Sequence, residues 1–171
     1  MRTRRHKTIK YCAYGLILLA SFVLQNARGT SVSLLGASVD AIPFLVASIA
    51  LFEGPYVAGA VGFAGGILAS IHSPVIEGLS ALYFGLFGIA FGYLGAVYMR
   101  KVLFAALLGG GACIIVQGMC RFVFYYCLVY QMGIVSGALQ LAAELVLSAL
   151  PGILIFYIVR ALSRRFSEAD A

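Results

Sequence analysis

Charged residues are scarce in this sequence: 11% of its 171 residues are Asp, Glu, Lys or Arg, whereas globular domains usually carry about 25%. The hydrophobic share is 63%, and the mean hydropathy is +1.03. A soluble domain of this size needs far more polar residues to cover its surface. The composition therefore excludes a soluble globule, a disordered chain and a disulfide scaffold. It indicates that lipid surrounds most of the chain.

Motifs that carry chemistry are also missing. The sequence contains no P-loop, no Gly-x-Ser-x-Gly motif, no His-Glu-x-x-His motif and no pairing of a nucleophile with a base. Three of its four cysteines, Cys113, Cys120 and Cys127, are seven residues apart, whereas metal ligands are typically about two to four residues apart. We interpret them as small apolar packing residues. We expect no cofactor, no metal and no enzymatic activity.

Apolar runs follow one another along the chain. Because a membrane helix needs about 20 apolar residues, we predict an all-α protein with six spans. One transmembrane domain at 11–162 follows a basic N-terminus at 1–10 and precedes a C-terminal tail at 163–171. The second span is short for a crossing, so it needs flanking residues or a locally thinner bilayer. The predicted spans are Tyr11–Leu24, Ala41–Phe52, Tyr56–Ile71, Leu79–Tyr98, Val102–Val129 and Ile134–Leu162.

The basic residues are distributed unevenly about these spans. With six spans, only Arg28 lies on one side, and ten of the twelve Lys and Arg lie on the other. Because basic residues are retained in the cytoplasm, both termini are predicted to be cytoplasmic. Short basic clusters between apolar runs are also unlike a nucleic-acid-binding face. The ten residues are Arg2, Arg4, Arg5, Lys7, Lys10, Arg100, Lys101, Arg160, Arg164 and Arg165.

Arg121 and Glu144 are the ionisable residues placed deepest in the predicted spans. A charge in the bilayer normally has a partner, and these two are equally distant from the turn near Met132. We therefore predict an Arg121–Glu144 ion pair, with Gln117 level with Ser148 and Tyr125 level with Gln140. The pair is interpreted as a structural clasp that sets helix register. A solute or proton site is the alternative.

Glycines recur at helical spacing in the third and fourth spans. The residues of these two faces are Gly59, Gly62 and Gly66, followed by Gly85, Gly88, Gly92 and Gly95. Small residues on one face allow membrane helices to approach closely. We favour packing within the monomer, and the alternative is a docking surface for another membrane protein.

Two acidic residues border the second span. Asp40 precedes Pro43, and its carboxylate is predicted to cap the helix by accepting from free backbone N–H groups. Glu53, Gly54 and Pro55 predict a tight turn that makes a hairpin of the second and third spans.

The order of these motifs resembles the MreD family of bacterial rod shape-determining membrane proteins. The resemblance covers roughly residues 22–100, whereas the remainder is similar only in span count and length. It is carried by Asp40-Ala-Ile-Pro43, by Phe52-Glu53-Gly54-Pro55, by the glycine-rich third span and by Gly92-Tyr93-Leu94-Gly95 in the fourth. The sequence departs from the family in having Ala69-Ser70 where an Asp often closes the third span.

The resemblance implies a non-enzymatic subunit of the cell-elongation machinery in the plasma membrane. The implied partners are an MreC-like bitopic protein, the actin-like MreB filament, the RodA glycosyltransferase and a penicillin-binding transpeptidase. Anionic lipid would attract the basic segments. The alternative is a substrate-binding subunit of an energy-coupling-factor vitamin transporter, to which MreD-like chains are distantly similar. A channel or proton-coupled carrier has less support, because two deep charges are too few.

Overall fold

The computed structural model is all-helical over the residues that it describes. These are 2–26, 39–70, 78–99, 101–121 and 134–168 for the backbone, and 9–23, 25, 39–70, 78–99, 101–120 and 138–165 for the side chains. Six helices form within these ranges: α1 Arg2–Asn26, α2 Ile42–Glu53, α3 Pro55–Ser70, α4 Leu79–Tyr98, α5 Leu103–Arg121 and α6 Ile134–Glu168.

The shortest helix, α2, lies at the centre of the bundle. It contacts each of the other five helices, and every residue from Ile42 to Leu51 is buried. Such a helix has no polar face, because no side of it meets solvent or lipid. The hydrophobic core accordingly contains α2 residues such as Ile42, Leu45 and Ile49, together with Phe84 of α4 and Phe156 of α6.

A single residue separates α2 from α3. Gly54 has φ +90°, a conformation that L side chains rarely adopt, and Pro55 is the first residue of α3. The structure thus contains the predicted turn. Pro at the start of a helix is tolerated because its missing N–H would have no partner there.

The helix boundaries differ from the predicted spans at both ends of the chain. α1 begins at Arg2, so it includes the basic segment predicted to precede the first span. α6 runs without interruption through Pro151 to Glu168, beyond the predicted end at Leu162. Part of the predicted fifth span, 122–129, lies outside the described residues.

Three of the described helices are long and apolar enough to cross a membrane. They are Leu79–Tyr98, Leu103–Cys120 and Ala138–Arg165, and the shorter apolar helices are Ile9–Val23, Ile42–Glu53 and Pro55–Ser70. The fold therefore suggests a membrane protein on length and composition.

Candidate functional site

A buried aspartate links three helices, α1, α5 and α6, near the start of α2. Asp40 is 6% exposed, and its Oδ1 accepts from Gln25 Nε2 of α1 at 3.1 Å. Its Oδ2 accepts from Gln117 Nε2 of α5 at 3.4 Å, and its backbone N–H donates to Ser148 Oγ of α6 at 2.8 Å. Glu144, 3% exposed, lies one turn before Ser148 on the same face of α6. We call these five residues the Asp40 cluster.

The Asp40 carboxylate determines how the two glutamine amides are oriented. An ionised carboxylate only accepts hydrogen bonds, so each amide must present its nitrogen to it. The carbonyl oxygens of Gln25 and Gln117 then point elsewhere, and both are buried with no hydrogen-bond partner among the described residues. The cluster is therefore rich in acceptors, and each unsatisfied acceptor costs about 1–3 kcal/mol.

The structure describes some, but not all, of the side chains predicted to lie inside the membrane. Gln117 and Ser148, predicted to lie level with each other, both bond to Asp40. Glu144 is buried and has an interaction partner. The side chain of Arg121 and the whole of Tyr125 lie outside the described residues, so the Arg121–Glu144 ion pair remains a prediction.

The prediction that Asp40 caps the N-terminus of α2 is wrong. The N-cap residue of α2 is Ala41, which makes no side-chain cap bond, and Pro43 is in the first turn. Asp40 lies one residue too early to be the cap. Its buried carboxylate instead accepts from side chains of α1 and α5, because an amide from each is within reach. Sequence reasoning missed Gln25, since a lone glutamine at the end of an apolar run carries no specific signal.

A second polar contact joins α1 to α2 at the other end of α2. Glu53 Oε2 lies 2.7 Å from Lys10 Nζ, and Glu53 Oε1 accepts from the Tyr14 hydroxyl at 2.8 Å. Tyr14 is buried, and Lys10 is half-buried. We call this group the Glu53 clasp and its end of the bundle the Glu53 end. The sequence assigned Glu53 only to a turn, because nothing in the pattern placed α1 beside it.

The two predicted glycine faces pack against each other. α3 and α4 form the most extensive helix contact in the bundle, and the glycines of both predicted faces are buried. A Cβ added at Gly62 would lie 2.3 Å from the carbonyl oxygen of Phe84, and one at Gly66 would lie 2.3 Å from Ala81 Cα. One at Gly88 would lie 2.6 Å from the Ala58 carbonyl oxygen. The faces are therefore occupied within the chain, which leaves them no room to dock another protein.

At the other four glycines of these faces, the atom nearest to an added Cβ belongs to a side chain in three cases and to the backbone at Gly92. A Cβ at Gly59 would meet Ile89 Cγ1 at 2.5 Å, and one at Gly92 would meet Pro55 Cα at 2.4 Å. The nearest atoms are 3.4 Å away at Gly85, on Phe63, and 3.0 Å away at Gly95, on Leu51. The close approach thus extends along the α3–α4 pair, from Gly66 beside the start of α4 to Gly92 beside Pro55.

The cysteines occupy different environments. Cys113 is buried in the core, and its carbonyl oxygen accepts from the Tyr83 hydroxyl of α4 at 2.5 Å. Cys12 and Cys120 are exposed on the surface of the bundle, and Cys127 lies outside the described residues. Over the part of the chain that the structure describes, no three His, Cys, Asp or Glu residues come together to hold a metal ion.

Comparisons with known proteins do not assign the chain to a class. No family model, no curated protein and no solved structure matches it. The class that the described residues define is an all-helical bundle, in which three helices are of membrane-spanning length.

Proposed function

We propose that the chain is a multi-pass protein of the bacterial plasma membrane, with six crossings and both termini in the cytoplasm. We further propose that it acts as a non-enzymatic subunit of the cell-elongation complex that directs peptidoglycan synthesis. The resemblance to the MreD family motivates this role. The arrangement of the resembling residues in the bundle, described below, carries it.

A ring of exposed tyrosines at the Glu53 end supports the membrane placement. Tyrosines favour the level of the lipid headgroups because the ring is apolar and the hydroxyl is polar. Two members, Tyr56 and Tyr93, share a hydrogen bond of 3.2 Å between their hydroxyls. The ring contains Tyr11 of α1, Tyr56 of α3, Tyr93 and Tyr98 of α4, and Tyr157 of α6.

Basic side chains continue beyond this tyrosine ring. α6 extends past Phe156, which packs on Phe52 of α2, and carries Arg160, Arg164 and Arg165. Lys101 lies at the same end, between α4 and α5. Basic residues gathered at one end are what the positive-inside rule requires of a cytoplasmic face. The concentration of basic residues at the Glu53 end supports the proposal that this end faces the cytoplasm.

The central helix is too short to cross a bilayer by itself. Its 12 residues rise about 18 Å, whereas the hydrocarbon core is about 30 Å thick. Ser148 lies nine residues before Tyr157, which is about 13 Å along α6, so the Asp40 cluster lies near the middle of the bilayer. Non-helical backbone is tolerated there only where protein satisfies it, and Ser148 Oγ accepts from the Asp40 N–H. Thinning of the bilayer is therefore unnecessary.

The observation that carries the elongation role is that the resembling residues build the centre of the bundle. Asp40 and Pro43 begin the enclosed α2, while Gly54 and Pro55 form its turn into α3. The glycine faces then allow α3 and α4 to pack closely against each other. An arrangement of this kind holds a rigid bundle together and presents apolar side chains outward. It suits a scaffold for MreC-like, MreB, RodA and transpeptidase partners.

Depletion tests the proposed role. A rod-shaped host in which the chain is depleted should round up and lose localised wall synthesis, visible with a fluorescent cell-wall probe. Re-expression of the natural chain should restore rods, as should the variant Gly15→Ala, since a Cβ added there would meet no atom within 4 Å beyond the nearby backbone of its own helix. The variant Gly62→Leu should not. Normal shape after depletion, with the chain absent from membranes, would refute the proposal.

The acceptor-rich Asp40 cluster favours a second candidate, the substrate-binding subunit of a vitamin transporter. Such a subunit needs buried polar groups that can receive a small molecule, and two glutamine carbonyls here have no partner in the part of the chain that the structure describes. Depletion separates the two candidates, because loss of uptake of one vitamin with unchanged shape supports only the transporter.

A further inference from the structure

Two aromatic rings and a lysine form a small platform at the Glu53 end. The rings of Phe52 and Phe156 lie with centroids 5.6 Å apart, and Lys101 Nζ lies 5.9 Å from the centroid of Phe52. The platform joins the end of α2, the link between α4 and α5, and the last third of α6. Phe156 is fully buried and Phe52 is half-buried, so only Lys101 and part of the Phe52 ring reach the surface at this point.

Arg160 lies beside this platform. It follows Phe156 by one helical turn, so both residues are on one face of α6. Arg160 is half-buried, whereas Arg164 and Arg165 are exposed, which indicates that Arg160 lies against the bundle. Arg165 follows Phe156 by nine residues and therefore points to the opposite side of α6.

Within the described part of this end, the cations have little negative charge to pair with. Among the described side chains, the only ion pair is between Lys10 and Glu53. Lys101, Arg160, Arg164 and Arg165 have no carboxylate within ion-pair distance in that part of the chain. An excess of positive charge at the level of lipid phosphates attracts anionic lipid.

We propose that Lys101 and Arg160 bind the phosphate of an anionic phospholipid headgroup beside the Phe52 ring of this platform. The proposal rests on the membrane placement given above but not on the elongation role. A lipid is the favoured occupant because the site lies just beyond the tyrosine ring, where headgroup phosphates are found. Two cations held by different elements select a phosphate over a zwitterionic headgroup, in which choline supplies its own positive charge.

Lipid retention tests this site. The purified chain is placed in nanodiscs containing equal amounts of phosphatidylglycerol and phosphatidylcholine, and the lipids that it retains on release are counted by native mass spectrometry. The natural chain should retain mostly phosphatidylglycerol. Lys101→Gln and Arg160→Gln should each lower the ratio of the two lipids about fivefold, the loss expected for one basic residue near an anionic surface.

Arg165→Gln is the matched control, since it removes the same charge from the same helix on the opposite side. Its lipid ratio should remain within about twofold of that of the natural chain, because a charge on the far side of α6 lies away from the site. Glycerol phosphate added in solution should not displace the retained lipid, which distinguishes a lipid site from a site for free phosphate. Lys101 is exposed, so Lys101→Gln should fold normally, as circular dichroism can verify.

Three outcomes would overturn the site. One is that the natural chain retains the two lipids in equal amounts, which would indicate that these cations bind an acidic protein segment instead. Another is an equal effect of Arg165→Gln and Arg160→Gln, which would indicate only a diffuse basic surface. The third is displacement by glycerol phosphate. A normal cell shape after depletion would refute the elongation role and would not change these lipid ratios.

Discussion

The backbone N–H of Asp40 donates to Ser148 Oγ at 2.8 Å, across 108 residues of sequence. This hydrogen bond holds the non-helical residue just before α2 against the middle of α6 and satisfies a backbone N–H that lies outside any helix. Ser148 is fully buried, so its hydroxyl serves the interior of the bundle alone.

Ser148→Ala should lower the free energy of unfolding by about 1–3 kcal/mol, because it leaves the Asp40 N–H buried without an acceptor. Denaturation by dodecyl sulfate in mixed micelles measures this change. Ser70→Ala is the control, since Ser70 Oγ bonds only to the Ile67 carbonyl of its own helix and is not deeply buried. Its effect should be within about 0.5 kcal/mol. Equal losses in the two variants would contradict the role of Ser148.

Asp40→Asn should lower the free energy of unfolding by a similar amount, about 1–3 kcal/mol, because an amide has one acceptor oxygen for two glutamine donors. The double variant Asp40→Asn, Gln117→Glu exchanges the amide and the carboxylate between the two positions. It should recover part of the loss, since the amide at position 40, just before α2, can then donate to the carboxylate at position 117 of α5. Strictly additive losses in this double-mutant cycle would show that the Asp40–Gln117 contact contributes nothing.

The similar depth of Gln117 and Ser148 could be predicted from the sequence, whereas the hydrogen bonds that both make with Asp40 could not. Their equal distance from the turn near Met132 predicts a similar depth on an antiparallel hairpin. Asp40, by contrast, follows a long segment of mixed polarity, and no local sequence pattern predicts which helices it contacts. The same limit applies to α2, since an apolar run with no periodicity is typical of both a membrane span and an enclosed core helix.

The glycine pattern shows a similar limit. Spacing of three and four residues correctly predicts one glycine face on α3 and one on α4. It does not reveal what each face meets, because close packing requires the same small residues within a chain and between chains. The distances from Gly62 and Gly66 to the α4 backbone settle that question in favour of the chain itself.

Gly62→Ala should therefore destabilise the bundle by more than about 2 kcal/mol, because its methyl group would lie 2.3 Å from a backbone oxygen that cannot move alone. Gly15→Ala provides the opposite case within α1, where the added methyl would meet no atom within 4 Å apart from the nearby backbone of its own helix. It should stabilise the protein by up to about 1 kcal/mol, since alanine favours helix. The same micelle titration measures both, and a neutral Gly62→Ala would mean that α3 and α4 are separable.

Both termini should be labelled only from the cytoplasmic side. Thr3→Cys and Ser163→Cys, each in a chain whose four natural cysteines are replaced by serine or alanine, should not react with a membrane-impermeant maleimide in intact cells. In inverted membrane vesicles both should react. Labelling of just one of them in intact cells would indicate an odd number of crossings and would refute the six-span topology.

Tyr14→Phe should weaken the attachment of α1 to α2. The Tyr14 hydroxyl donates to Glu53 Oε1 at 2.8 Å, and a hydrogen bond to a charged group contributes about 1.5–3 kcal/mol. Tyr11→Phe, three residues away on an exposed side chain, is the matched control and should change the free energy of unfolding by less than about 0.5 kcal/mol. Because Lys10 contacts the other carboxylate oxygen, Lys10→Gln and Tyr14→Phe should be coupled rather than additive. A Tyr14→Phe effect no larger than that of Tyr11→Phe would show that burial of the Tyr14 ring, and not its hydroxyl, holds α1 in place.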